Sequence, residues 1–151
     1  MEHYTRSLPY ELELTSRVLH EVAKCFFERN NYPVSQDEFI ILDCLYMYPD
    51  IIQIELAKLI LKGRAHTGKF LKSLEEKKLI ERTPAKQGSK IVMKISVTPK
   101  GHEIYETISK SLDEHIQESN SDYEIEKVRE VIDMLRVIRE KAVEKYSIKF
   151  E

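Results

Sequence analysis

The chain has 151 residues, 42% hydrophobic and 33% charged, with a formal net charge of −2. That length is one domain's worth, enough to bury a sizeable core. No apolar run approaches the roughly 18 residues a membrane span needs, the N-terminal MEHYTRSLPYELE lacks a signal-peptide core, and two cysteines do not make a disulfide framework. The expectation is a cytoplasmic globular protein.

Residues Leu8 to Arg29 read as a first helix. Leu14, Val18, Val22 and Phe26 repeat at a spacing of four, and Leu19, Ala23 and Phe27 widen the stripe. Asn30-Asn31-Tyr32-Pro33 ends it. Ser35 with Glu38 has capping-box spacing and opens a second helix through Tyr48. Its Phe39, Ile40, Ile41, Leu42, Leu45, Tyr46 and Met47 make it apolar on nearly every side, the signature of a central helix. Asp50 with Gln53 repeats the capping spacing for a short third helix through Ile60, with Ile52 or Ile54, Leu56, Leu59 and Ile60 as its buried side.

A brief link around Leu61 to Gly63 leads to GRAHTGKFLKSLEEKK, Gly63 to Lys78. On a helix with 100° per residue, Phe70, Leu71, Leu74 and Lys78 fall within about 60° of Thr67 and form one stripe. Ala65, Lys69, Lys72 and Glu76 fall opposite, with His66, Gly68 and Ser73 beside them. Two short helices with so brief a link, the second basic outward, form a helix-turn-helix. Such a face suits a DNA major groove, and it equally suits a solvated amphipathic helix. Charge segregation favours the first: residues 58–94 hold 11 Lys and Arg against 3 Glu, a local +8, leaving −10 elsewhere.

After Leu79-Ile80-Glu81-Arg82 the period changes to two. Ile91, Met93, Ile95 and Val97 predict a half-buried strand, with Arg82 to Ala85 as the other arm of a hairpin and Lys86 to Lys90 as its tip. A basic hairpin after a helix-turn-helix is a wing. Thr98 as N-cap and Pro99 as first helical residue restart helix. Ile104, Ile108, Leu112 and Ile116 mark some twenty residues, broken at Ser119-Asn120-Ser121. Ser121 with Glu124 caps a last helix, whose Val128, Val131, Leu135, Ile138 and Ala142 follow 3-4-3-4 spacing. The wing part is too small to cover three long helices, so a second copy of the chain is the expected partner, in a C₂ dimer.

The fold class is therefore mainly α with a small β-hairpin wing: a winged helix-turn-helix with N- and C-terminal dimerisation helices. Residues 1–151 form a single domain, 35–98 its winged part, and 1–34 and 99–151 its helical dimerisation part. Glu55-Leu56-Ala57, Leu74-Glu75-Glu76-Lys77-Lys78-Leu79-Ile80-Glu81-Arg82 and Val97-Thr98-Pro99-Lys100-Gly101 stand in the order of ELA…LEKKGLVER…LTPKG. In these motifs and in element order the chain resembles the multiple-antibiotic-resistance regulator (MarR) family of winged-helix transcription factors. The resemblance implies a homodimeric DNA-binding regulator, usually a repressor, often released by a small molecule or an oxidant. Three positions depart from the family pattern. Lys78 stands where Gly is frequent, Gly63-Arg64-Ala65-His66 replaces Asp-Arg-Ser-Thr, and Ser89-Lys90 replaces an Asp-Arg pair in the wing.

Lys69, outward and in the N-terminal half of its helix, is the strongest base-contact candidate, able to donate to guanine O6 or N7. Arg64 at the helix entrance suits a base or a phosphate equally. His66, Lys72 and Ser73 flank this surface, while Ala65 and Gly68 allow close backbone approach. Lys86, Lys90 and Lys94 are phosphate candidates on the wing; Lys90 keeps a charge but lacks the planar fork of Arg. Tyr10, Tyr32, Tyr46 and Tyr105 could line an effector pocket or serve as core. Cys25 and Cys44 lie inside apolar helices and read as buried structural cysteines rather than redox sensors. His102 and His115 lie thirteen apart, giving no ligand pair for a metal, and no cofactor is expected. With four glycines and no phosphate loop, nucleophile elbow or paired carboxylates, an enzyme is not expected. The alternative is a winged-helix interaction module whose basic face meets an acidic protein.

Overall fold

The computed structural model describes residues 3–49 and 51–149. A 3₁₀ turn, Tyr4–Arg6, precedes α1 (Leu8–Arg29), α2 (Gln36–Met47), α3 (Gln53–Leu59) and α4 (Arg64–Glu76). Strands β1 (Ile80–Gln87) and β2 (Lys90–Val97) follow, then α5 (Pro99–Asn120) and α6 (Ile125–Tyr146).

The core sits where α2 meets α1, α4, α5 and the base of the hairpin. Ile41, Leu42, Leu56, Leu71, Leu74, Leu79, Ile80, Ile95 and Ile108 are all fully buried there. The helix α2 is central, as its composition implies, but not equally so on every side. Phe39, Ile41, Leu42 and Leu45 are buried, whereas Ile40, Tyr46 and Met47 are exposed. Its start is the expected capping box: the Ser35 hydroxyl accepts from the Glu38 N–H, and the Glu38 carboxylate accepts from the Ser35 N–H. Asp50, the expected cap of α3, lies outside the described residues. Ile52 is the N-cap instead, its N–H held by Glu55 Oε2 at 3.3 Å. Leu56 and Ala57 form the buried side of α3, while Ile54 and Leu59 are exposed.

Helix α4 is shorter than its sequence pattern. Lys77 caps it and Lys78 adopts φ 61, so Lys78 leaves the apolar stripe and points to solvent. The left-handed turn allows the Leu79 N–H to reach the Leu74 carbonyl, closing the helix and starting β1. The hairpin is longer than expected and its tip shorter. Strand pairing runs from Ile80↔Val97 to Gln87↔Lys90, leaving only Gly88 and Ser89 as the loop. Gly88 at φ 62 supplies the positive φ that a two-residue turn needs. Only the hairpin base is half-buried. Ile95 is 1% exposed and Ile91 76%, because the outer half of the wing projects beyond the core.

The Thr98 hydroxyl accepts from the Gly101 N–H at 3.0 Å to cap α5. The expected Ser121 cap of α6 does not form. Ser121 is the C-cap of α5, its hydroxyl donating to the Glu118 carbonyl, and Glu124 is the N-cap of α6. Helix α6 buries no residue within the chain; Ile125, Val131, Ile132 and Met134 all stand exposed. Leu8, Leu14, Val18, Leu19 and Val22 of α1 are exposed likewise. Among the described residues no helix is long and apolar enough to cross a membrane.

Candidate nucleic-acid interface

Helix α4 begins at Gly63, whose carbonyl accepts from both the Thr67 N–H at 3.0 Å and the Thr67 hydroxyl at 3.1 Å. That pairing satisfies a threonine that is fully buried beneath the helix, with Leu71 and Leu74 beside it. Burying these three residues turns the opposite face outward. Arg64, Ala65, His66, Lys69 and Lys72 are all exposed on it, as their helical positions require. Lys72 stands 3.8 Å from Glu76 one turn on, and both side chains are largely in solvent, so the pair holds Lys72 only weakly.

Two residues expected on this surface have other work. The Ser73 hydroxyl, half-buried, donates to Glu38 Oε1 at 2.6 Å and is unavailable as a phosphate donor. Gly68 faces α3 instead of open space: a Cβ there would meet Gln53 Nε2 at 3.3 Å. Its missing side chain serves the close approach of α3 to α4. Gln53, which the sequence pattern offers only as a capping partner of Asp50, stands at the edge of the α4 face.

Several contacts fix the attitude of α4. Glu38 is 4% exposed at the first turn of α2, yet its carboxylate accepts from the Ser35 N–H at 2.7 Å, from Ser73, and from Lys77 Nζ at 2.8 and 2.7 Å. Burial alone would raise this carboxyl. The bonds from Lys77, Ser73 and Ser35, with the Lys77 charge, outweigh burial and hold it below the ordinary glutamate range. Lys62, in the link before α4, pairs with Asp37 at 3.0 Å and lies over the Phe70 ring at 5.6 Å. Arg82 of β1 holds Glu75 at 2.5 Å and, through that bond first, draws the Glu75 carboxyl down. Sequence reading took Glu38 only as a capping residue. Ser73 and Lys77, four apart, share one face of α4, but that spacing does not reveal which distant residue they meet.

The wing lysines Lys86 and Lys90 are exposed, as is Lys94. The register places Lys86 on the face of Ile80, Ile95 and Val97, and puts Lys90 and Lys94 together on the other. At Lys94 the strand also makes an antiparallel bridge to Ile52, tying the wing to the start of α3.

The four tyrosines do not meet in one pocket. Tyr105 stacks on Tyr46, with ring centroids 4.3 Å apart, and on Phe39 at 5.7 Å, and its hydroxyl donates to Asp43 at 2.8 Å. Burial, opposed by a Ser109 hydrogen bond and aided by Asp43, raises the Tyr105 hydroxyl. Tyr32 joins the same aromatic run through Phe27 but opens on a different cavity, of about 340 Å³. Tyr46 edges a cavity of about 350 Å³ at the wing base with His102. Tyr10 packs on Tyr4 at the start of α1, apart from the others. Cys25 is exposed, contrary to expectation, beside a groove of about 750 Å³ that Phe26 and His115 also line. Val18 and Val22 on the same side of α1 are exposed with it, while Phe27 at the end of the helix is buried. Cys44 is half-buried, and burial, then Asp43, pushes its thiol up. Among the described residues no three His, Cys, Asp or Glu side chains gather as a metal site.

Two helices joined by a tight turn, a basic exposed face on the second, and a hairpin directly after it define a winged helix-turn-helix. Residues 34–97 match the model of the MarR family. The likeness to solved structures runs over nearly the whole chain. A MarR/EmrR family transcriptional regulator from Acinetobacter sp. ADP1 aligns with a TM-score of 0.83 at 19% identity, covering 95% of this chain and 99% of that one. The S. aureus MepR–DNA complex gives 0.77 at 20% identity over 93% and 99%. The PcaV regulator from Streptomyces coelicolor, in complex with its natural ligand, gives 0.75 at 13% identity over 94% and 99%. At these identities the likeness establishes a shared fold. No protein of curated function matches the chain in sequence.

Proposed function

We propose that the protein is a sequence-specific DNA-binding transcriptional regulator, a repressor that binds a pseudo-palindromic operator as a homodimer. The observation that carries this reading is the outward face of α4, where Arg64, Ala65, His66, Lys69 and Lys72 are exposed together within the segment of local charge +8. Lys69 and Arg64 are the base-contacting candidates, and Lys86, Lys90 and Lys94 reach phosphates from the wing. The MepR–DNA complex supports the reading, since a protein of this fold is seen there with DNA.

Residues 35–98 form the DNA-binding part in this reading, and 1–34 with 99–151 the dimerisation part. The exposed apolar rows of α1 and α6 support a second copy as the partner that covers them. The two copies of α4 then enter major grooves roughly 34 Å apart. That PcaV, a protein of this fold, is seen with its natural ligand supports a small-molecule effector. The protein acts in the cytoplasm, where its DNA is.

Selection of bound fragments from genomic DNA, followed by footprinting, tests the proposal. The expected result is one recurring inverted repeat, protected in two patches about a helical turn apart. Recovery of random fragments, or none at low salt, would favour an acidic protein as the partner of the basic face.

A further inference from the structure

Glu38 is an unusual place for a charge. It is buried at the first turn of α2, and four hydrogen bonds to its two oxygens come from three groups. Two of those groups, Ser73 and Lys77, belong to the last turn and the cap of α4. The third is the backbone of Ser35, the fixed N-cap of α2. The carboxylate therefore ties the far end of α4 to the capped N-terminus of the central helix. A leucine at position 38 would fill space without direction. A carboxylate with three donors at about 2.7 Å accepts one orientation of its partners, because hydrogen bonds weaken steeply off axis. The Lys77 ammonium meets both carboxylate oxygens, and the backbone carbonyl of Lys77 accepts from Lys100 Nζ at 3.1 Å.

We propose that Glu38 is a positioning residue for DNA reading, setting the angle at which α4 presents Arg64 and Lys69 through its bonds to Ser73 and Lys77. This rests on the DNA-binding reading above. Base contacts are directional and fail when a helix tilts, whereas attraction to phosphates tolerates tilt. Loss of the clamp therefore removes discrimination between operator and random DNA and leaves random binding in place. A role in stability alone would lower both affinities together, in step with the folded fraction.

The test uses the full chain with Glu38→Gln and, as a milder variant, Ser73→Ala; Ser73→Thr restores the hydroxyl. Affinity is measured by fluorescence anisotropy for the selected operator and for a random duplex at the same salt. Hydrogen exchange of the α4 amides is measured without DNA. Expected are an operator affinity at least tenfold weaker in both variants and a random affinity within twofold of wild type. Exchange should be at least tenfold faster over Leu74 to Lys77, with α1 unchanged, and Ser73→Thr should recover operator binding to within twofold. Parallel loss of both affinities, or no change in either, overturns the proposal. If the wild type itself does not discriminate operator from random DNA, the regulator reading fails. The exchange measurement then judges the clamp alone, and unchanged α4 exchange overturns that.

Discussion

Replacing Gly101 by alanine separates two physical arguments that give opposite signs. Gly101 is the third residue of α5, and helix propensity alone predicts that Gly→Ala stabilises by about 1 kcal/mol. The structure predicts the reverse. An alanine Cβ would stand 2.1 Å from the Leu79 carbonyl oxygen and 2.7 Å from Val97 Cγ1. The oxygen cannot step aside, because it accepts from the Thr98 N–H at 3.0 Å and belongs to the base of the hairpin. Relief needs α5 to move by about 1 Å, which places the cost at the upper end of overpacking, roughly 3 kcal/mol. The Thr98 bond weakens as well, by about 1 kcal/mol. Against the propensity gain the net is a loss of roughly 3 kcal/mol, which for a chain of this size lowers Tm by about 6–12 °C. Thermal unfolding followed by circular dichroism, at one fixed protomer concentration, measures it. An equal or higher Tm would refute the close approach of α5 to Leu79 and Val97 at the hairpin base.

Other consequences follow from single residues. Lys78→Gly should stabilise by about 0.5–1 kcal/mol in denaturant titrations, since φ 61 strains any residue with a Cβ while glycine adopts it freely; a lower midpoint would contradict the left-handed turn. The Glu38 carboxyl is depressed in the folded protein, so its stabilisation is present above the ordinary glutamate pKa and disappears as pH falls through the lower folded value. The stability difference between wild type and Glu38→Gln, about 1–3 kcal/mol near neutrality, should shrink on acidification below about pH 4.5 and would contradict the clamp if it grew. Val131→Lys with Leu19→Lys should convert the proposed dimer to monomer in sedimentation velocity, both side chains being exposed apolar groups on α6 and α1; an unchanged dimer would place the interface elsewhere.

The family motifs were legible because they are structural. Glu55 caps α3, Leu56 and Ala57 are buried, Glu75 holds Arg82, and Thr98 caps α5 while its hydroxyl also donates to the Lys78 carbonyl. Local chemistry of this kind is written in short stretches, as in the helix from Leu8 to Arg29 and the Ser35 capping box. The misreadings concern contacts between distant segments. Nothing near Ser73 in sequence reveals Glu38, thirty-five residues earlier, and nothing near Gly68 reveals Gln53. Alternation over Ile91 to Val97 reports a strand without saying how far the core extends beneath it. The stripe on α1 reports apolar character without saying what covers Cys25. Where the chain departs from the family pattern at Arg64, Ala65, His66 and Lys90, the side chains are exposed and hold no contact of the core. Those are positions free to carry specificity.

Lys69 is exposed at the centre of the outward face of α4, and among the described residues no hydrogen bond or ion pair holds it. Lys69→Glu should weaken binding to the selected operator at least a hundredfold by fluorescence anisotropy, with dimer and Tm unchanged, because two reversed charges then face the groove in each complex. Operator binding equal to wild type would contradict the placement of α4 in the major groove.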